Sequence, residues 1–467
     1  MTLRLGKIRN IHFVGIGGVG MSGIAELLLN LGYQVTGSDI TQSEVTERLK
    51  GLGATIYDGH HAKHIQQAHV VVYSSAVKED NPELTAARAK KIPVIKRAEM
   101  LAELMRLKFG IAVAGTHGKT TTTSMLGGIL HQADMDPTII VGGKVAGLGS
   151  NARLGHSELL VAEADEFDRS FLKLIPTIAV ITNIEPEHLE CYRDYADLQD
   201  AFVAFGNKVP FYGKVFACLD DEGVRQVLPR FEKIVVTYGF TAQADVVATG
   251  IRFNNRQTHF TAMVYGKPIG EVTLQVPGHH NIRNALAAIA VAIDLEIPFP
   301  MIQQALQQFR GVHRRFEIRG EWNSLMLVDD YAHHPTEIQA TLQAAKNGWP
   351  HRRVVAIFQP HLFSRTQQFY KEFAAAFLNA DVLVVLDVFP AREKPIPGVS
   401  GQLIRDAAES LGHKNVHFLP EREQIVSFLQ SVVQKGDLLM TIGAGDVWKV
   451  NRMLETALKN RNMVVET

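Results

Sequence analysis

The segment AGTHGKTTTT, residues 114 to 123, lies between the apolar run IAVA and an apolar stretch of helical period, and it constrains the fold more than any other feature. A glycine-containing turn between a strand and a helix aims backbone N–H groups and a helix N-terminus at one point, which is where phosphate oxygens are bound. Each residue type then has a task. Lys119 is placed to lie along the β- and γ-phosphates, and Thr120 to put its hydroxyl on Mg2+. Gly115 and Gly118 allow the backbone amides to converge, with Thr116, His117 and Thr121 completing the nucleotide-binding turn. The pattern departs from GxxxxGK[ST], because Val113 stands where the first glycine would be and the glycine comes two residues later.

A second strand, glycine turn and helix stand near the N-terminus. Gly15, Gly17 and Gly20 form GxGxxG, with Gly18 inside the turn, between the strand IHFV and the helical stretch MSGIAELLLN. Backbone amides there can approach a diphosphate, and Asp39, at the end of the next strand, stands where a ribose hydroxyl could sit. Ser74 and Ser75 close a later strand and are candidates for the same crevice. Glycine spacing alone does not separate NAD from another nucleotide diphosphate. Two such turns suggest two nucleotides, whereas a dehydrogenase explains only one.

Short apolar runs alternate with helical segments from Ile8 onward, restart around Lys108 to Gly110, and break at the basic segment RGVHRRFEIRG, residues 310 to 320. This predicts three domains, 1–107, 108–311 and 312–467, in a chain of 467 residues, too long for one ordinary core. The first and last read as Rossmann-like α/β domains, and the central one as a P-loop ATPase-type mixed sheet. Net charge is zero with no basic block, so nucleic acid is not an expected partner. Two cysteines, Cys191 and Cys218, are too few for a disulfide framework. No apolar run approaches the ~18 residues of a membrane span and no signal-peptide core is present, so a cytoplasmic protein without a membrane partner is expected.

Taken together, GIGGVGMSGIA at 15–25, YSSAV at 73–77, GTHGKTTT at 115–122, EADEFDRSFL at 163–172, TNIEPEHLECY at 182–192, HHNIRNALAA at 279–288, RRFE at 314–317, DDYAHHPTE at 329–337 and FQPHLFSRT at 358–366 resemble the Mur ligase family over essentially the whole chain. The resemblance implies three domains that bind a UDP sugar, ATP and an incoming amino acid in that order, and UDP rather than NAD at the first turn. The branch it favours joins L-alanine to the carboxylate of UDP-N-acetylmuramate through an acyl phosphate, in peptidoglycan precursor synthesis. Carried over, it gives Lys119 to the ATP phosphates, Thr120 and Glu163 to one Mg2+, and His188 to a second metal; Lys119, Glu163 and His188 form the catalytic set. Asn284, Arg315 and Asp330 are expected around ATP, and Tyr331, His333, His334, His361 and Arg365 around the amino acid. Some relatives carry arginine where this chain has Leu362, so one cationic clamp is absent.

Three alternatives stay open at this point. They are a family member that attaches a preformed peptide to the same sugar nucleotide, an oxidoreductase resting on the first glycine turn alone, and a non-catalytic nucleotide-binding regulator. A monomer or weak homodimer is expected.

Overall fold

Runs of four to six residues, most buried along their whole length, pair into parallel sheets because helices cover both faces and leave no strand face for water. The computed structural model describes residues 5–74, 76–142, 152–187, 191–391 and 393–459. Three sheets follow one another along the chain. In the first, β1 (Asn10–Val14), β2 (Gln34–Asp39), β3 (Thr55–Asp58), β4 (Val70–Tyr73) and β5 (Val94–Lys96) are all parallel in the order β3-β2-β1-β4-β5. The order reverses between β1 and β4, and open α/β sheets bind ligands outside the carboxyl ends of their strands at such a switch.

The second sheet contains β6 (Phe109–Ala114), β7 (Thr138–Ile140), β8 (Ala152–Arg153), β9 (Leu159–Ala164), β10 (Ile178–Ile181), β11 (Lys214–Cys218), β12 (Ile234–Gly239), β13 (Val246–Asn254), β14 (Gln257–Val264) and β15 (Lys267–Leu274). Their order is β15-β14-β13-β12-β11-β10-β6-β9-β7-β8. The strand before the P-loop, β6, is central and lies parallel between β9 and β10. It therefore sits in the best-buried part of the sheet, with Ile111, Ala112, Val113 and Ala114 fully buried. The sheet is mixed, since β8 runs antiparallel to β7.

The third sheet, β16 (Glu317–Trp322), β17 (Leu325–Asp330), β18 (Val354–Phe358), β19 (Val382–Val385), β20 (Val416–Phe418) and β21 (Leu438–Ile442), has the order β16-β17-β21-β18-β19-β20. Only its edge strand β16 is antiparallel. Separate apolar clusters cover its two faces, one around Phe358, Phe373 and Phe377 and the other around Val355, Ile357 and Leu454. By contact density the chain divides into two units: Met1–Gly250, Phe260–Val272 and Arg283–Arg310 form one, and Ile251–His259, Thr273–Ile282 and Gly311–Thr467 the other. No helix among the described residues is long and apolar enough to cross a membrane. Cys191 and Cys218 are not joined in a disulfide.

Candidate functional site

The first glycine turn is shaped by its neighbours in β2. Gly15, at φ +80, and Ile16 both donate their N–H to Ser38 O, at 2.8 and 3.1 Å, which folds the chain tightly over the strand end. Gly17 N donates to Asp39 Oδ2 at 2.8 Å, and a Cβ on Gly17 would lie 2.9 Å from that same oxygen. Asp39 Oδ1 accepts from Thr41 N at 3.0 Å. The carboxylate expected beside a ribose is thus also the brace of the turn. Gly18 begins the helix Val19–Asn30 without a side-chain cap. At Gly20 a Cβ would stand 3.0 Å from Arg97 Cδ. Ser74 Oγ accepts from Ala76 N at 3.3 Å, and Ser75 lies outside the described residues.

The second turn follows β6 directly. Gly115 has φ +138, and a Cβ there would meet Thr182 Oγ1 at 2.0 Å; Gly118 has φ +83, and a Cβ would meet Asn284 Oδ1 at 2.5 Å. Both conformations and both close approaches require glycine. Thr116 N donates to Asn183 O at 3.1 Å and His117 N to Asn183 Oδ1 at 2.7 Å. These two amides serve the shape of the turn. The helix Lys119–Gln132 begins directly after the turn, with Lys119, Thr120 and Thr121 as its first residues. Asn284 Oδ1 accepts from Thr122 Oγ1 at 3.2 Å, so the helix His279–Asp294 brings that side chain to the turn.

Lys119 Nζ donates to Gly115 O at 2.6 Å and Thr116 O at 3.1 Å, and reaches Glu166 at 2.7 Å (Oε2) and 3.0 Å (Oε1). Burial disfavours the ammonium, but the charges of Glu166, Asp165 and Glu187 and the hydrogen bond to Glu166 together outweigh it and raise the pKa of Lys119. Glu166 is 1% exposed. Its backbone oxygen accepts from Tyr192 OH at 2.6 Å, and the chain then passes through two left-handed residues, Asp168 at φ 50 and Arg169 at φ 60. Such conformations persist only when surroundings over-determine them. Here Arg169 pairs with Asp197 and lies 4.7 Å above the Tyr192 ring. Glu163, near the end of β9, accepts from Gly142 N at 2.8 Å. Burial pushes its carboxyl up, against the pull of the Gly142 amide, the Thr120 hydroxyl and the Lys119 charge.

A hard divalent cation fits this donor set. Glu163 and Thr120 offer adjacent oxygens, and a buried carboxylate is stabilised by a cation at close range. His188 lies outside the described residues. Glu166 and Asn183 were not singled out from sequence. Glu166 stands three residues after Glu163 in EADEFDRSFL, but its partner is 47 positions away. Only the density of acids after a buried strand signalled it.

The second unit gathers another polar set at the carboxyl end of β17. Asp330 accepts from Phe316 N and Ala332 N, each at 2.7 Å, and burial pushes its carboxyl up to about 6 despite the Arg315 charge. Arg315 Nη1 pairs with Glu337 Oε1 at 2.9 Å, and its guanidinium lies 5.5 Å from the Tyr331 ring. His333 Nδ1 is 3.3 Å from Glu337 Oε2, and its ring meets His361 edge to face at 6.2 Å. His334 N-caps the helix Pro335–Gly348 and packs on Phe369 at 5.2 Å. His361 stacks on Phe389 at 5.8 Å. Burial, then the His333 and Arg365 charges, lower its pKa to about 4. Arg365 lies in the first turn of the helix Phe363–Ala376 with Nη1 shielded from solvent. Tyr331, His333, His361 and Arg365 are therefore brought together, although 34 residues separate the first from the last.

Three family models match in chain order: "Mur ligase family, catalytic domain" over residues 10–109, "Mur ligase middle domain" over 113–292 and "Mur ligase, glutamate ligase domain" over 314–445. The UDP-N-acetylmuramate--L-alanine ligase of Geobacter sp. (strain M21) is 54% identical over 97% of this chain and 98% of its own length. The protein of that name from Salinibacter ruber is 53% identical over 98% of this chain and 96% of its own. Among solved structures, UDP-N-acetylmuramate-alanine ligase MurC of Thermotoga maritima matches with TM-score 0.81 and 31% identity over 97% of this chain and 99% of that one. A murein peptide ligase from Psychrobacter arcticus matches with TM-score 0.70 and 26% identity, covering 98% and 100%. With three successive family models matched from residue 10 to residue 445 and full-length relatives above 50% identity, the chain belongs to the Mur ligase family.

Proposed function

We propose that this chain is an ATP-dependent ligase that joins L-alanine to the carboxylate of UDP-N-acetylmuramate, in peptidoglycan precursor synthesis. The observation that carries the reading is the pairing, within one unit, of a glycine turn suited to a nucleotide diphosphate with a P-loop whose lysine and carboxylates are already assembled. The choice of L-alanine over a preformed peptide is supported by the higher identity and TM-score of the relatives named for alanine.

In this reading residues 1–107 hold the UDP sugar, 108–311 hold ATP, and 312–467 hold alanine. The muramyl carboxylate oxygen attacks the γ-phosphorus of ATP, ADP leaves, and an acyl phosphate remains. Alanine's neutral amine attacks the acyl carbon, inorganic phosphate leaves, and the amine's proton passes to a base or to a phosphate oxygen. Lys119 balances the charge that spreads over the transferring phosphoryl oxygens, which is where a fixed cation lowers the barrier most. Thr120 and Glu163 would hold Mg2+, which supplies further charge neutralisation, and His188 a second ion. Glu166 keeps Lys119 charged and oriented. Arg365 takes the alanine carboxylate, with His361, His333, His334 and Tyr331 around it, because a guanidinium donates two parallel hydrogen bonds to one carboxylate.

Phosphate release is measured with UDP-N-acetylmuramate, ATP and either L-alanine or the free tripeptide L-alanyl-γ-D-glutamyl-meso-diaminopimelate. Release dependent on alanine and on the sugar nucleotide is the expected result. Release only with the tripeptide reassigns the chain to peptide attachment, and release with neither removes the ligase reading.

A further inference from the structure

Beneath the carboxyl ends of β1 and β2 lies a cluster that the reaction described above does not use. Glu83, in the first turn of the helix Pro82–Ala89, is fully buried. Its carboxylate accepts from Ser38 Oγ at 2.5 Å and from His61 N at 3.2 Å, and lies 2.8 Å from His64 Nδ1. His12 Nε2 and His60 Nδ1 each stand 3.5 Å from Oε2. Burial opposes its charge, but His12, Ser38 and His64 together hold the carboxyl down at about 2.

An ionised carboxylate only accepts hydrogen bonds, and a serine hydroxyl has one proton to give. The Ser38 proton therefore points to Glu83. His60 Nδ1 lies 2.8 Å from the same Ser38 oxygen, so Nδ1 must carry a proton and donate it. With the proton on Nδ1, the neutral form of an imidazole carries its lone pair on Nε2. The His60 side chain retains 19% exposure. It stands beside the first glycine turn: Ser38 O accepts from Gly15 and Ile16, and Gly59 N donates to Asp39 O at 2.8 Å.

We propose that Glu83, Ser38 and His60 form a relay that fixes the proton on Nδ1 of His60 and presents Nε2 as a hydrogen-bond acceptor to a nucleoside diphosphate seated at the Gly15–Gly20 turn, taking an imide N–H or a ribose hydroxyl. Glu83 and Ser38 are positioning residues, and His60 is the contact. The inference rests on the sugar-nucleotide reading of that turn.

The test uses the full chain, with UDP and ATP titrated separately by calorimetry. His60→Asn keeps an inward N–H for Ser38 and lacks the outward acceptor. It should weaken UDP binding about tenfold, as for one lost hydrogen bond. ATP affinity and melting temperature should stay as in the unsubstituted protein. Imidazole 15N spectra should show His60 protonated on Nδ1 and bare on Nε2, with Nε2 shifting on UDP addition. A folded His60→Asn variant that binds UDP with full affinity overturns the contact, and a proton on Nε2 alone overturns the relay. If the unsubstituted chain binds ATP but not UDP, the sugar-nucleotide reading falls and this inference with it.

Discussion

Lys119 and Glu166 form a two-pronged ion pair under the P-loop, with Nζ 2.7 and 3.0 Å from the two carboxylate oxygens, and Glu166 is almost wholly buried. Removing one partner of a buried pair leaves an uncompensated charge and destabilises by about 3–5 kcal/mol. Glu166→Gln should therefore lower the melting temperature clearly. Lys119→Met with Glu166→Gln should recover much of the loss, because neither charge is then stranded. A Glu166→Gln variant as stable as the parent would mean that the pair contributes nothing to the fold.

The same lysine is predicted to act mainly in the transition state. Charge spreading over a transferring phosphoryl group interacts with a fixed cation more strongly than ground-state ATP does. Lys119→Ala should cut turnover about 100- to 1000-fold, the range for a single lost charge-stabilising donor, with a smaller change in ATP affinity. Single-turnover kinetics on the folded variant separate the two effects. Near-normal turnover would remove the P-loop assignment.

The glycine turns were legible in the sequence because their constraint is local: a strand, a left-handed or crowded backbone position, and a helix follow within a few residues. The third-sheet loops were legible for the same reason, since Pro335 occupies the first helical turn after β17, as its position in DDYAHHPTE implied. What escaped was pairing across the chain. Glu166 with Lys119 and Glu83 with Ser38 are 47 and 45 positions apart, and no periodicity encodes which strand end will face which. Asn183 escaped differently, since nothing in TNIEP announces that its carbonyl and amide oxygens take two P-loop amides.

Gly115 tests the shape of the turn. A methyl group there would sit 2.0 Å from Thr182 Oγ1 at a φ of +138 that side chains rarely adopt. Gly115→Ala should displace the β10 end and the loop together, abolishing ATP binding while UDP binding to the first sheet persists. Separate titrations with the two nucleotides check this. Equal loss of both would indicate global misfolding, and retained ATP affinity would show that the loop tolerates the shift.

His361 gives a pH signature. Its folded pKa of about 4 lies below the unfolded value near 6.5, so between these the unfolded chain binds more protons. Its contribution to stability is present above 6.5 and lost as pH falls towards 4, with a slope of at most about 1.4 kcal/mol per pH unit. Asp330, raised to about 6 from near 3.9 unfolded, acts oppositely: its folded form binds the extra proton, so stability falls as pH rises from 4 to 6. The two slopes offset one another in the parent. His361→Gln should leave the Asp330 slope exposed, so that melting temperature drops from pH 4 to pH 6 more steeply than in the parent. Parallel pH profiles for the two proteins would show that His361 is not held neutral.

Arg365 tests the proposed amino-acid site. It lies four positions beyond His361, in the first turn of the helix Phe363–Ala376, and its charge is among the influences that keep that ring neutral. The residue at position 362 is leucine with φ +70, an unfavourable conformation for a side chain bearing a Cβ, held by Leu362 N donating to Phe389 O at 3.0 Å. In the proposed function the Arg365 guanidinium, with no cation at 362, orients the alanine carboxylate, and lysine is a poor substitute because it offers a point charge without the paired N–H groups. Arg365→Lys should raise the alanine Michaelis constant about tenfold or more, with that of ATP little changed, and Arg365→Ala should raise it further. Initial rates with alanine varied at saturating ATP and sugar nucleotide measure this. Were both variants to keep the parent's alanine dependence at normal turnover, the carboxylate would be bound elsewhere, and the cluster around His361 would have to be reassigned to a structural role.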